Sequence, residues 1–286
     1  MQRVLVLGDE RKGGTGALVA GFADWLQHRG HRIDTVTDRE SSLADRQADL
    51  VVVFGGDGSL LGAARRMGQN QMPTLGINRG RLGFLTAFEQ ERAKEAVELA
   101  LQGKLLEERR LLLWCSVIDP HGGEGERVLC MNDGVVSRAA VGGMITLRAA
   151  RSGAELATYR GDGLIVATAA GSTAYSMAAG GPVLAPGLDA LVLTPLASHT
   201  LSARPLVVPV DDGVAVEVLD AASKKYAYFQ IDGQVRMQVA VGARAVLRPA
   251  PFRFRHLGPG PQHFFEVLRA KFGFAHLPRE RQPGNP

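Results

Sequence analysis

A glycine-rich turn with one carboxylate follows the apolar run at residues 50–53 of the sequence. The turn reads Phe54-Gly55-Gly56-Asp57-Gly58-Ser59, and the residues after it have the pattern of a helix start. Such a turn lets backbone N–H groups approach a phosphate, and the helix N-terminus adds favourable partial charge. Asp57 would then lie beside bound phosphates, where its charge is costly unless it holds a metal or takes a proton. We interpret the turn as a phosphoryl-transfer site, although a structural turn is an equal alternative for this segment alone.

A second polar segment, Met131-Asn132-Asp133-Gly134, follows a predicted strand at 127–132. Adjacent amide and carboxylate side chains can divide the recognition of a nucleoside, because the amide pairs with a base edge and the acid accepts from ribose hydroxyls. The same residues are also typical of a type I′ turn. Taken by itself, the segment favours the turn.

The third segment spans residues 161–176 and contains Asp162, a strand, a small-residue turn and the start of a predicted helix. The first helical turn would display the hydroxyls of Ser172, Thr173 and Tyr175. Hydroxyls and free N–H groups in this arrangement suit a bound nucleoside, with the Asp162 carboxylate one strand-length away. A purely structural turn is the alternative.

The glycine-rich segment 8–15 resembles a phosphate-binding P-loop but lacks its defining lysine. That loop needs a lysine directly after its second glycine, where this chain has Gly14. The segment therefore predicts a mobile surface loop.

The elements that must position these segments fall into two groups. In the first third of the chain, strands and helices alternate, which predicts a parallel sheet covered by helices. After about residue 105 the chain has short strands separated by Gly, Asp and Pro, which predicts an antiparallel sandwich or stacked-sheet domain. The predicted strands are 4–7, 33–36, 50–54, 74–77, 111–118, 127–132, 145–149, 214–219, 226–231 and 245–249; the predicted helices are 15–29, 59–67, 89–102, 172–179 and 263–272.

The 286 residues are long enough for two domains, although one large domain is also possible. We predict an α/β phosphate-binding domain over 1–105 and an all-β, dinucleotide-binding domain over 106–261. The C-terminal helix, within residues 262–286, is expected to pack back on the first domain, with a mobile tail at 278–286.

Composition indicates an ordinary soluble globular protein, with 45% hydrophobic and 22% charged residues. The sequence has no apolar run of the roughly 18 residues that a membrane span needs, and its start lacks a signal-peptide pattern. Cys115 and Cys130 lack metal-ligand spacing and predict reduced core residues of a cytoplasmic protein. The net charge of +4 comes from scattered basic residues, which favours small anionic substrates over nucleic acid.

Taken together and in this order, the three segments resemble the signature of the bacterial NAD kinase family, the ATP:NAD 2′-phosphotransferases. The glycine-acid tetrapeptide alone is shared with diacylglycerol kinases, sphingosine kinases and 6-phosphofructokinases, so the later segments narrow the choice. Further segments that carry the resemblance are 76–86, 180–182, 194–195, 199–205 and 232–234.

The resemblance implies that NAD and ATP are the substrates and that Asp57 is the general base for the adenosine 2′-hydroxyl of NAD. It implies Mg²⁺ carried in with ATP, no metal site of the protein's own, and a homodimer or homotetramer with site residues shared between chains. The apolar stretch 239–246 is a candidate partner face. The implied binding residues are Asp57, Gly58, Asn132, Asp133, Arg160, Asp162, Thr173, Ala174, Tyr175, Ser176, Ala178 and Gln234.

The chain departs from the family pattern Thr-Pro-Thr-Gly-Ser-Thr-Ala-Tyr at Ala169 and Ala170, and it has Ala178 where serine is usual. These changes loosen a turn and remove hydroxyls, so we expect altered affinity before lost activity. Two other functions stay open from sequence: a lipid kinase that uses the same glycine turn, and a non-catalytic NAD(P) sensor.

Overall fold

The computed structural model describes residues 1–80, 83–139, 143–199, 202–221 and 225–273. Parts of three predicted segments lie outside these residues: Arg81 and Leu82, Thr200 and Leu201, and the C-terminal stretch 274–286. Within the described residues the chain forms 17 strands and five α-helices. The first third contains β1 (Arg3–Leu7), α1 (Thr15–Gln27), β2 (Arg32–Val36), β3 (Leu50–Phe54), α2 (Asp57–Met67), β4 (Thr74–Asn78), β5 (Phe88–Glu89) and α3 (Ala93–Leu101).

Strands dominate the remainder of the chain, as predicted. They are β6 (Leu106–Ile118), β7 (Val128–Cys130), β8 (Asp133–Arg138), β9 (Ile145–Arg151), β10 (Ala154–Gly161), β11 (Gly163–Thr168), β12 (Ala190–Leu196), β13 (Leu206–Pro209), β14 (Val214–Asp220), β15 (Tyr226–Ile231), β16 (Val235–Ala240) and β17 (Arg244–Gly258). Two helices complete the described chain: α4 (Tyr175–Ala178) and α5 (Gln262–Phe272).

Two sheets organise these strands. Strands β2, β1, β3 and β4 are parallel neighbours in that order, and β4 pairs in parallel with the end of β17 at His256–Leu257. From β17 the same sheet continues through the antiparallel strands β14, β9 and β10, with β6 and β7 alongside. The second sheet is antiparallel, in the order β13-β12-β11-β8-β15-β16. Side chains of both sheets share one hydrophobic cluster, which confirms the predicted α/β part followed by stacked antiparallel sheets.

Helix α2 lies between the parallel sheet and the antiparallel strands. On β1 the side chains alternate, so that Val4 packs with α1 and α3 while Leu5 packs with α2. Leu60 of α2 belongs to a cluster that also contains Leu112 of β6 and Phe254 of β17. This packing places the N-terminus of α2, with Asp57, where the two parts of the chain meet.

The C-terminal helix α5 packs back on the first part of the chain, as predicted. The ring of Phe264 lies 5.5 Å from the ring of Phe84, and the ring of Phe272 stacks on Phe84 at 6.2 Å. Phe84 belongs to the segment between β4 and β5, so α5 closes over the end of the parallel sheet.

The predicted continuous helix over 172–179 is wrong. A 3₁₀ turn at Gly171–Thr173 precedes α4, and the two are separated at Ala174. The Ser172 hydroxyl donates to the Ala169 carbonyl at 2.7 Å and the Thr173 hydroxyl donates to the Ala170 carbonyl at 3.2 Å. Such side-chain-to-backbone bonds compete with regular helical pairing.

Two smaller expectations also differ from the structure. The described non-glycine residues with positive φ are Ser152, Ala197 and Asp232, so Asn132 and Asp133 do not form the type I′ turn. The predicted helix 89–102 begins as a 3₁₀ turn and becomes α-helical only at α3. Half of the stretch 239–246 belongs to the core, because four of its residues are buried: Val239, Ala243, Ala245 and Val246. Val241 is 40% exposed, so a partner face at this stretch stays a prediction for the exposed residues.

Candidate active site

Asp57 is the first residue of α2, and its carboxylate is fixed by the segment that follows β4. The backbone N–H of Phe84 donates to Asp57 Oδ2 at 2.9 Å, and the N–H of Leu85 donates to Oδ1 at 3.0 Å. The Thr86 hydroxyl donates to Oδ1 at 3.3 Å. The helix N-terminus also favours a negative charge at this position. The carboxylate therefore has one defined orientation before any ligand binds.

The glycines around Asp57 serve different purposes. A Cβ at Gly55 would overlap Ser59, and a Cβ at Gly83 would overlap the Asp57 carboxylate, so these two glycines permit close packing. A Cβ at Gly56 would meet nothing within 4 Å, which leaves open space beside the backbone. Gly56 is thus the glycine of this turn whose surroundings suit the approach of a phosphate.

A cavity of about 220 Å³ opens in front of Asp57. Asn132, Thr173 and Ala174 lie in its wall together with Asp57 and Gly58. The mouth is formed in part by α5, where the Lys271 Nζ atom lies 5.4 Å from the centre of the Phe84 ring. Three segments that are far apart in sequence therefore converge on one cavity.

The backbone at Asn132 is held by the carboxylate of Asp232. Its Oδ1 atom accepts hydrogen bonds from the N–H groups of Asn132 at 2.8 Å and Asp133 at 3.3 Å, and Oδ2 accepts from the N–H of Met131 at 3.1 Å. Arg65 of α2 lies 3.3 Å from Asp232 Oδ2 and forms a salt bridge with it. The Asn132 segment is thereby tied to the same helix that carries Asp57.

The side chain of Asp133 lies in an unusually unfavourable place for a charge. Asp133 is only 5% exposed. Burial, together with the nearby Asp232 carboxylate, raises the pKa of Asp133 to about 7. This acid therefore changes charge near neutral pH instead of near pH 4.

A second cavity, of about 190 Å³, lies on the other side of the α2 N-terminus and shares Gly58 with the first. Its wall includes Arg39, Arg66 and Asp9. Although burial opposes ionisation of Asp9, hydrogen bonds from Arg11 and the charges of Arg39 and Arg11 keep its pKa below the ordinary value. The two cavities meet at the glycine turn.

Comparison with known proteins identifies the family. The chain matches the ATP-NAD kinase N-terminal domain over residues 19–105 and the ATP-NAD kinase C-terminal domain over residues 131–257. The NAD kinase of Bordetella parapertussis is 37% identical to it, and the match covers 96% of each chain. The chain belongs to the NAD kinase family. This membership favours the NAD kinase interpretation over the lipid-kinase alternative.

Solved structures of NAD and NADH kinases share the fold. Yeast NADH kinase complexed with NADH superposes with a TM-score of 0.87 at 20% identity, covering 99% of this chain and 90% of the yeast chain. An NAD kinase from Archaeoglobus fulgidus in complex with ATP gives a TM-score of 0.76 at 25% identity, covering 93% and 97%. Among the residues that the structure describes, no helix is long and apolar enough to cross a membrane.

Several residues that the NAD kinase family pattern implies lie outside the Asp57 cavity. Gln234 lines the second cavity, where its Nε2 donates to the Gly58 carbonyl at 2.9 Å. The Ser176 hydroxyl is buried and shares a 2.8 Å hydrogen bond with the Thr194 hydroxyl. Arg160 lies near the end of β10, which is an edge strand of its sheet. Asp162 forms a salt bridge with Arg138 at 2.8 Å. Their contacts with a dinucleotide stay predictions, as do those of Asp133, Tyr175 and Ala178.

Other residues of the candidate site were missed from sequence. The donors that orient Asp57, at residues 84–86, lie within a segment that carries the family resemblance, but their role depends on a fold contact. Asp9 could have been noticed, because it follows β1 at the edge of the sheet where ligands bind in open α/β folds. Asp232 lies in the segment 232–234, which also carries the family resemblance, but its hydrogen bonds to the backbone at residues 131–133 depend on a fold contact.

Proposed function

We propose that this protein transfers the γ-phosphoryl group of ATP to the 2′-hydroxyl of the adenosine ribose of NAD, giving NADP. The observation that carries the proposal is the fixed carboxylate of Asp57 in the wall of a cavity that Asn132 and Thr173 also line. Phosphoryl transfer is catalysed mainly by positioning and by electrostatic stabilisation. A preoriented acid at a phosphate turn supplies the first of these.

Asp57 acts as the general base. The proton of the 2′-hydroxyl passes to its carboxylate as the new P–O bond forms, while the bond between the γ-phosphorus and the leaving ADP oxygen breaks. Proton transfer to a positioned side chain contributes about 10²–10⁴-fold to a reaction rate. The three donors at residues 84–86 keep the carboxylate aimed into the cavity.

The two cavities that meet at Gly58 each bind a different substrate. The second cavity takes the ATP phosphates, since Arg39 and Arg66 line it and Gly58, in the first turn of α2, lies in its wall. The Asp57 cavity takes the adenosine end of NAD, with Asn132 on the nucleoside and the Thr173 hydroxyl beside it. Gln234 fixes the wall between them through its bond to the Gly58 carbonyl.

A metal ion held by the protein alone does not fit the described residues, which include no group of three His, Cys, Asp or Glu side chains able to hold one. Mg²⁺ enters bound to the ATP phosphates, as is usual for this ion with nucleotide substrates. Both free cysteines are buried, which suits a reducing, cytoplasmic location.

Arg160 and Asp162 belong to a shared site in this proposal. Both lie outside the Asp57 cavity of their own chain. They therefore act on the dinucleotide bound to a neighbouring chain of a homodimer or homotetramer. Light scattering of the purified protein should give a dimer or tetramer mass, and a monomer at assay concentrations would contradict this part.

The decisive experiment incubates the purified protein with ATP, Mg²⁺ and NAD and follows the formation of NADP. The unchanged protein should form NADP, and Asp57→Asn should lose about 10²-fold or more of the turnover while it keeps its fold. Absence of NADP formation by the unchanged protein would overturn the proposed function. Normal turnover of Asp57→Asn would overturn only the base role. Binding of NAD without any phosphate transfer would support the sensor alternative.

A further inference from the structure

A buried group of charged side chains, of which Arg110 lines the Asp57 cavity, is not used by the mechanism above. Glu108 and Arg110 alternate with outward-facing residues on β6, and His256 lies opposite Glu108 on β17. The same face carries Leu112 and Phe254, which pack against α2. This face is therefore apolar where it packs against α2 and charged at Glu108, Arg110 and His256, of which Arg110 reaches the cavity.

Glu108 is the neutralising partner in this group. Its Oε2 atom accepts a 2.5 Å hydrogen bond from Arg110 Nη2 and lies 3.5 Å from His256 Nδ1. The nearby His256 imidazole and the charge of Arg110 hold the pKa of Glu108 below its usual value, against the effect of burial. Burial also lowers the pKa of the neighbouring His263. The single carboxylate of Glu108 thus lies beside both the guanidinium of Arg110 and the imidazole of His256.

Arg110 is left incompletely paired. Its side chain is 6% exposed, and its Nε atom is buried without a hydrogen-bond partner. Burial lowers the Arg110 pKa, which shows that the site penalises its charge. Native proteins satisfy nearly all buried polar groups, so a buried guanidinium with a free donor needs an explanation.

The position of Arg110 in the cavity wall explains why this donor is free. Arg110 lines the same cavity as Asp57 and Thr173. Among the residues of that cavity wall, the other cation is Lys271, which lies exposed at the mouth beside Phe84. Arg110 is therefore the cation on the inner side of the cavity, where an anionic ligand group would satisfy it.

We propose that Arg110 binds the phosphoryl group as it arrives on the acceptor, and so binds the 2′-phosphate of the product. The inference rests on the proposed function, because Asp57 marks where the reacting hydroxyl lies. Transfer adds a phosphate of about two negative charges beside the Asp57 carboxylate. The planar guanidinium offers several N–H donors in a fork that matches phosphate oxygens. The acceptor arrives at this position as a neutral hydroxyl, so the contact forms only during and after transfer.

The test compares ligands with and without a phosphate on the 2′-oxygen of adenosine. Calorimetry would give the affinity of NAD, NADP, adenosine 2′-phosphate and adenosine 5′-phosphate for the unchanged protein and for Arg110→Gln. Because this substitution leaves Glu108 buried without its partner, the double variant Glu108→Gln/Arg110→Gln is measured as well. The matched control is Arg109→Gln, because the Arg109 side chain is 73% exposed and is not among the residues that line the cavity.

Both Arg110 variants should bind NADP and adenosine 2′-phosphate roughly ten- to hundredfold more weakly, as expected for lost charged hydrogen bonds. Their binding of NAD and adenosine 5′-phosphate should stay close to that of the unchanged protein. In turnover, kcat should fall more than the KM for NAD rises. Arg109→Gln should match the unchanged protein in every assay.

Two results would overturn the inference. An equal loss of NAD and NADP binding would give Arg110 a structural role, and a selective loss of adenosine 5′-phosphate binding would place it on the pyrophosphate of the dinucleotide. These affinities are measured without turnover. The proposed function fails separately, if the unchanged protein forms no NADP.

Discussion

Gly83 leaves the space that the carboxylate of Asp57 occupies: a Cβ atom at position 83 would overlap Asp57 Oδ1 and the Thr86 hydroxyl. The two residues are distant in sequence and belong to neighbouring strand ends, after β3 and after β4. The N–H groups next to Gly83, those of Phe84 and Leu85, are the donors that orient Asp57. The orientation of the general base thus depends on the absence of a side chain in a facing segment.

Gly83→Ala should therefore reduce turnover without unfolding the protein. The added methyl group must push the Asp57 carboxylate aside, and a displacement of about 1 Å from the reacting geometry can cost roughly 10²-fold in rate. Steady-state assays with ATP and NAD would measure the loss in kcat. Gly80→Ala is the control, because a Cβ there meets nothing within 4 Å. Equal activity of the two variants would contradict the assigned orientation.

Asp232→Asn should weaken NAD binding and lower stability together. The amide loses the salt bridge to Arg65 and one of the two oxygens that accept from the backbone at residues 131–133. Loss of such buried, charge-assisted bonds costs about 1–3 kcal/mol. Urea unfolding would measure the free-energy change, and the KM for NAD should rise. Asp211→Asn, at a carboxylate that is 77% exposed, should change neither quantity.

Asp133 should make the unliganded protein less stable as pH rises through neutrality. Its folded-state pKa of about 7 lies above the ordinary aspartate pKa of 3.8. The stability that this group contributes is therefore fully present below pH 4 and is lost as the pH rises through 7. Asp133→Asn removes this titration. The melting temperature of the variant, relative to that of the unchanged protein, should increase between pH 5 and pH 8. A constant difference would show that Asp133 titrates at its ordinary pH.

Ala170→Thr should strengthen NAD binding. Ala170 lies in the wall of the Asp57 cavity, at the position where the family pattern has a second threonine. The hydroxyl adds a hydrogen-bonding group on that wall, and one such bond is worth about 0.5–1.5 kcal/mol. The KM for NAD should fall by a corresponding few-fold. The control is Ala170→Val, because valine has nearly the shape of threonine without the hydroxyl, and this variant should not bind NAD more tightly. An equal fall in the KM for NAD in both variants would show that packing, and not the hydroxyl, causes the effect.

Local sequence was sufficient for the elements that begin and end within one segment. Strand β3 and strand β15 have the predicted bounds, because each is an apolar or alternating run with turn residues at both ends. The glycine turn after β3 and the convergence of Asp57, Asn132 and Thr173 also followed from sequence and family resemblance. The strand bounds and the glycine turn each depend on a short stretch of chain, whereas the convergence of the three segments was expected from the family resemblance.

The rest of the site depends on contacts between distant segments. The N–H donors of Asp57 lie 27 and 28 residues away, and the Asp232 carboxylate lies 100 residues from Asn132. No local pattern at Arg110 distinguishes it from Arg109, since only the pairing of β6 with β17 decides which side chain faces inward. The break at Ala174 was missed because the hydroxyls that replace helical pairing are also compatible with a helix start.

Strand β17 has a mechanical consequence for substrate exchange. It pairs with β6 along its length and with β4 at its end, so the parallel sheet and the antiparallel strands share one continuous frame. A cleft between two lobes normally widens by rotation about a hinge, and here such rotation would have to tear backbone pairing. Opening of the cleft by such a rotation is therefore opposed by these backbone hydrogen bonds.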